Sequence, residues 1–156
     1  MNEDGLQSRF KVIFYGNSSD YPEFKDLLKG IDNVVYYGLL DLTKKEGYES
    51  LAENDIMLFP TFYEGEGFPG VCIDAFISGL PIVATDWHCN KDIVSDGING
   101  FIIPPKDEDA LYVVMKKAIE GRIPLESMKK ACYDEAKKYD CNYILSENEL
   151  KKLGLL

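Results

Sequence analysis

The chain has 156 residues, 46% of them hydrophobic, which suits one domain with a sizeable core. Lysine and arginine number 17 against 27 aspartates and glutamates, and the net charge of −10 argues against a basic groove for nucleic acid or a patch for anionic membranes. No apolar run approaches the ~20 residues of a bilayer span, and the opening MNEDGLQSRF has neither the basic nor the apolar region of a signal peptide.

In chain order, Phe10 to Tyr15 is a β-rich run that stops at Gly16. A polar turn follows, and Pro22-Glu23 opens an apolar-periodic segment with Phe24, Leu27 and Leu28. Asp20 and Glu23 have capping-box spacing, Pro22 suits a first turn, and Gly30 reads as the helix stop. Asn33 to Tyr37 is the second strand, ended by Gly38. Thr43 to Glu53 reads as a helix that turns Tyr48 and Leu51 toward the core, and Asp55 to Phe59 as the third strand, stopped by Pro60. A glycine-rich loop from Thr61 to Pro69 leads into a helix from about Gly70 to Ser78. Pro81 to Thr85 and Gly100 to Ile103 are the last two strands. Asp107 to Glu120 is an amphipathic helix with Ala110, Leu111, Val114 and Ala118 on one stripe. Another helix covers Leu125 to Tyr139, and a helical tail follows.

Alternating strands and helices imply βαβ units, so the expected fold is α/β: a Rossmann-like parallel sheet of about five strands with helices on both faces. The domain is expected over residues 1–140, with a tail over 141–156. Ligands of open parallel sheets bind beyond the carboxyl ends of the strands. Those ends are Gly16, Gly38, Pro60 and Asp86, so the glycine-rich loop sits where a ligand would be.

Between Pro60 and Asp86, Gly65, Gly67 and Gly70 let the backbone approach a ligand with no side chain intervening. Gly70 lies near a helix start, whose free N–H groups and positive dipole end favour a phosphate. Asp74, one turn further on, suits hydrogen bonds from a pair of sugar hydroxyls, and Glu66 is a second carboxylate at the same place. Spacing alone reads equally well as a glycine-rich turn with two solvated acids.

The segment resembles the E-x7-E region of family 4 glycosyltransferases, the retaining GT-B enzymes that use sugar nucleotides. Pro60-Thr61, Glu66-Gly67-Phe68, Asp74-Ala75, Ser78-Gly79 and Pro81-Ile82-Val83-Ala84 fill that motif. Asp92-Ile93-Val94, Asp96-Gly97, Asn99-Gly100-Phe101 and Pro104 resemble the family's downstream block. The resemblance runs from about Phe10 to Ala118 and implies the C-terminal, donor-binding half of a GT-B enzyme for capsular or surface polysaccharide. It further implies that Asp74 holds the donor ribose and that Glu66 faces the donor sugar as the catalytic residue. The backbone over Gly67, Phe68, Pro69, Gly70 and Val71 would meet the distal phosphate and sugar, through the N–H groups of the residues other than proline. Gly16 would lie against the diphosphate, and the stretch holding Gly38, Leu39 and Leu40 would border the base. The substrate is then a nucleotide sugar, with no cofactor and no metal.

Two departures matter. The second acid is Asp74 where the family has Glu, so the motif is E-x7-D, a pattern resembling a polysaccharide-assembly branch. The family also places an Arg and a Lys upstream of the Phe10 strand to neutralise the departing diphosphate. MNEDGLQ reads as the end of the helix that bears that Lys, so the domain is expected to lack its first strand and helix. The missing partner is an N-terminal acceptor-binding domain, and the isolated chain is expected to bind nucleotide weakly without transferring sugar. The alternative reading is a non-catalytic module that binds a sugar nucleotide or another chain.

Other residues have plainer readings. His88, the only histidine, either borders the donor sugar or is an ordinary loop residue. Cys72, Cys89, Cys132 and Cys141 lack CxxC spacing and read as reduced structural thiols of a cytoplasmic protein, which in the full-length enzyme would work at the inner face of the membrane. Tyr143, Ile144, Leu150, Leu153 and Leu156 give the tail an apolar face suited to weak pairing with a second copy.

Overall fold

A computed structural model describes residues 5–19, 21–144 and 146–154. In chain order the elements are β1 (Val12–Tyr15), α1 (Phe24–Leu27), β2 (Val34–Gly38), α2 (Lys45–Ala52), β3 (Met57–Phe59), α3 (Gly70–Ile77) and β4 (Ile82–Thr85). Then come α4 (Asn90–Ile93), β5 (Gly100–Ile103), α5 (Glu108–Ile119), α6 (Leu125–Ala136), α7 (Cys141–Ile144) and α8 (Glu147–Lys152). The α/β alternation is as expected, and the sequence had left α4 out.

Every strand pairing is parallel. Val12 stands opposite Val34, Met57 opposite Ile82, and Ile82 opposite Gly100. Hydrogen bonding divides the strands into a pair, β1-β2, and a triplet, β3-β4-β5, where one continuous sheet was expected. Among the described residues no strand joins β1 to β3, so each sheet keeps its own edge.

The core sits in the triplet. All four residues of β4 are buried, as an apolar run between two parallel neighbours requires. Cys72, Ala75 and Phe76 of α3 pack there with Ile93, Val94 and Cys132, and Leu51 of α2 leans on the same cluster. Two glycines fix close approaches. A Cβ on Gly100 would stand 2.1 Å from the carbonyl oxygen of Ile82, so β5 can draw up to β4 only without one. Gly79 ends α3 at φ +70°, and a Cβ there would meet the Tyr133 hydroxyl at 2.5 Å.

Local signals set several helix ends. Asp107 caps α5, its side chain accepting from the Ala110 N–H at 2.8 Å. Gly30, at φ +79°, follows α1 as the sequence suggested; the expected capping residue Asp20 lies outside the described residues. The helix foreseen to Tyr139 gives way to a 3-10 turn over Lys137–Tyr139. Arg9, which had no assigned role, donates to the Ile119 carbonyl at 2.8 Å and so caps the end of α5. No helix among the described residues is long and apolar enough to cross a membrane.

Candidate functional site

The loop from β3 to α3 starts where Pro60 ends the strand, and its bonds to the next strand hold it in shape. Thr85, the last residue of β4, donates its hydroxyl to the Thr61 carbonyl. Just beyond, the Trp87 indole N–H donates to the Tyr63 carbonyl at 2.9 Å. Within the loop, the Thr61 hydroxyl accepts from the Tyr63 N–H at 3.3 Å and donates to Glu66 Oε2, also at 3.3 Å. The Glu66 N–H closes a turn onto the Tyr63 carbonyl at 3.1 Å. Lys106, beyond the end of β5, places its ammonium 5.0 Å from the centre of the Phe62 ring. Glu66 is thereby held half-buried, with Gly67 and Phe68 exposed beside it.

Pro69 is the buried residue before α3. It adopts an extended conformation and supplies no side-chain cap, so no side chain of the N-cap covers the first amides of the helix. Gly70 and Val71 are exposed, and a Cβ built on Gly67 or Gly70 would meet nothing within 4 Å. Space in front of this helix end is therefore open, and its dipole favours an anion there. The Phe68 ring leans on Tyr139 with centroids 5.8 Å apart. A shallow hollow of about 590 Å³ lies beside the loop, lined by Pro60, Thr61, Phe62, Tyr63 and Glu64.

Asp74 sits one turn into α3, half-buried. Its Oδ1 accepts a hydrogen bond from the Tyr48 hydroxyl of α2 at 2.7 Å. That bond, then partial burial and the carboxylate's charge, raise the Tyr48 pKa, so the phenol stays protonated and donating. Tyr48 was expected only as a core residue. A tyrosine at a helix position facing inward gives no sequence sign of a partner that lies 26 residues away in another helix.

Gly16 and Gly38 meet at the carboxyl end of the β1-β2 pair. The Gly16 N–H donates to the Gly38 carbonyl at 2.9 Å, and the Tyr36 hydroxyl donates to the Gly16 carbonyl at 2.8 Å. Both glycines have positive φ, 135° and 90°, which a side chain would strain. Leu39 is exposed and Leu40 half-buried just beyond. The structure thus groups Glu66, Gly67, Phe68, Pro69, Gly70, Val71 and Asp74 at one helix start, and Gly16 with Gly38 at the end of the other sheet. Through Tyr48, α2 links the chain that follows Gly38 to Asp74.

The downstream motif has a structural explanation. Asp96 accepts from the Ile102 N–H at 2.9 Å, and buried Asn99 accepts from the Ser95 N–H at 2.7 Å, so the block braces the turn into β5. His88 is exposed at φ +45°, its ring edge-on to Trp87 at 5.0 Å. Among the described residues no group of three His, Cys, Asp or Glu is placed to hold a metal ion.

Comparison with known proteins adds family context. The family described as "Glycosyl transferases group 1" matches residues 3–120. The chain is 26% identical to the lipopolysaccharide 1,6-galactosyltransferase of Escherichia coli K12 over 88% of its own length and 41% of that protein. It is 31% identical to an uncharacterized 41.2 kDa protein in the cps region of Klebsiella pneumoniae, over 54% of this chain and 22% of that one. The fold is similar to the crystal structure of Anabaena HepE in complex with UDP, at TM-score 0.76 and 19% identity, covering 98% of this chain and 44% of HepE. The chain therefore spans less than half the length of each of these proteins.

Proposed function

The chain belongs to the glycosyl transferases group 1 family, and from that premise we propose that it is the donor-binding part of a retaining, metal-independent glycosyltransferase for capsular or other surface polysaccharide. One observation carries the reading: Glu66 and Asp74, in E-x7-D spacing, stand half-buried on either side of an open helix start. In this reading Asp74 accepts from the donor ribose, the N–H groups of Phe68, Gly70 and Val71 meet the distal phosphate and sugar, and Glu66 faces the sugar. Gly16 lies against the diphosphate, and Gly38, Leu39 and Leu40 border the base. An uncapped helix end stabilises phosphate through its amides even on an acidic chain, because the interaction is local and the distant charges are screened.

Support comes from what similar proteins are. The E. coli relative is a galactosyltransferase, and the HepE structure contains UDP. The Klebsiella relative belongs to a cps region, which favours polysaccharide assembly. Transfer needs cations for the departing diphosphate and a wall for the acceptor. We assign both to further parts of a two-domain enzyme, since this chain spans under half of those relatives. By itself it binds donor without turnover.

Calorimetric titration of the chain with UDP, GDP and ADP tests the reading. One of the three is expected to bind; heats of dilution alone for all three would overturn it.

A further inference from the structure

Within the proposed donor site, on which this inference rests, we propose that Tyr48 is a positioning residue for ribose recognition, acting through Asp74. An aspartate at this place is one methylene shorter than a glutamate, so its carboxylate has less reach and needs a defined orientation. A carboxylate has two oxygens and about four lone-pair sites. The Tyr48 hydroxyl occupies one site, at 2.7 Å on Oδ1. No other side chain bonds the Asp74 carboxylate among the described residues, so Oδ2 keeps its acceptor capacity for a ligand hydroxyl.

The Tyr48 hydroxyl is held firmly. Leu51, one turn after Tyr48 on α2, packs against the core cluster that α3 also enters. The residue before Tyr48 is Gly47, buried, where a Cβ would stand 2.2 Å from the Asp41 carbonyl oxygen. That close seat fixes the rotation of α2 and so the direction of the phenol. Both partners are half-buried, which strengthens their hydrogen bond while leaving the free oxygen reachable. A charge-assisted bond of this kind locks one carboxylate rotamer before ligand arrives, and the ordering cost is removed from binding.

The consequence is selective. Without Tyr48 the Asp74 side chain stays in place but turns freely, and recognition of a ribose hydroxyl weakens while contacts to phosphate and base stay. The experiment titrates UDP, 2′-deoxy-UDP and 3′-deoxy-UDP into the wild type, Tyr48→Phe, Asp74→Ala and the double variant, with GDP and its deoxy analogues used instead if UDP does not bind. Tyr48→Phe is expected to weaken the ribonucleotide about five- to tenfold, to leave the deoxy analogue that lacks the recognised hydroxyl nearly unchanged, and to add nothing on top of Asp74→Ala.

A merely structural role for Tyr48 would weaken all three nucleotides alike, and that result overturns the inference. So does wild-type affinity in Tyr48→Phe while Asp74→Ala loses ribose selectivity, which leaves the donor site standing. If Asp74→Ala changes nothing, or no nucleotide binds, the donor-site reading falls and takes this inference with it.

Discussion

Thr85, at the end of β4, donates a hydrogen bond from its hydroxyl to the carbonyl of Thr61, at the root of the loop that bears Glu66. A buried strand terminus thereby sets the starting direction of an exposed loop. The Thr61 hydroxyl passes the constraint to Glu66 Oε2 at 3.3 Å. Thr85→Val keeps the volume and removes the donor, leaving the Thr61 carbonyl without it. The expected loss of stability is about 1–2 kcal/mol, measured by urea denaturation, with weaker binding of the sugar nucleotide than of the bare nucleoside diphosphate.

Trp87 is the only tryptophan, and its indole N–H is bonded to the Tyr63 carbonyl in the same loop. Its emission therefore reports on this loop and on the turn after β4 that touches it. Addition of the nucleotide sugar that binds is expected to shift the tryptophan spectrum saturably, with the affinity found by calorimetry. A spectrum that stays fixed while calorimetry shows saturation would place the ligand away from the loop.

The cysteines divide by environment. Cys72 and Cys132 are buried, and burial, helped at Cys72 by the nearby charge of Glu66, pushes each thiol up to about 12. Cys141 is exposed and Cys89 half-buried. At pH 8 a thiol reagent should label Cys141 first, Cys89 more slowly, and Cys72 and Cys132 only on unfolding; peptide mapping of the labelled protein checks this. The folded state holds the Cys72 and Cys132 protons more tightly than the unfolded chain, whose thiols ionise near ~8.5. Their stabilising contribution is thus complete below that pH and is lost as pH rises toward 12. Chemical denaturation at pH 8 and pH 10 should show the decline.

Much of this was legible in the chain. Gly16, Gly38 and Pro60 mark strand ends in the sequence because glycine and proline act locally, and each marks one in the structure. The boundaries of β5 were read to the residue, since Gly100 and Pro104 bracket it. The sheet's division into a pair and a triplet was not legible, because strand pairing is a long-range property that no local pattern encodes. α4 escaped for a different reason: its four residues, Asn90–Ile93, are too few to show a helical period.

The site shows the same contrast. Glu66, Gly67, Gly70 and Asp74 are contiguous enough to be read as a motif, and the loop and α3 do present them together. Tyr48, Thr85 and Trp87 support that loop and helix from elsewhere in the chain. Their residue types fit core or loop positions equally well, and only the folded geometry reveals their hydroxyl and indole partners.

The central claim, that Asp74 and Glu66 divide a donor nucleotide sugar between them, is tested most directly by one paired titration. Asp74→Ala and Glu66→Gln are each titrated with a nucleoside diphosphate and with the matching nucleotide sugar. Asp74→Ala is expected to weaken both ligands about tenfold or more, as loss of a charge-assisted bond requires. Glu66→Gln is expected to weaken the nucleotide sugar and leave the bare diphosphate unchanged. Unaltered affinity of Asp74→Ala for both ligands would contradict the account.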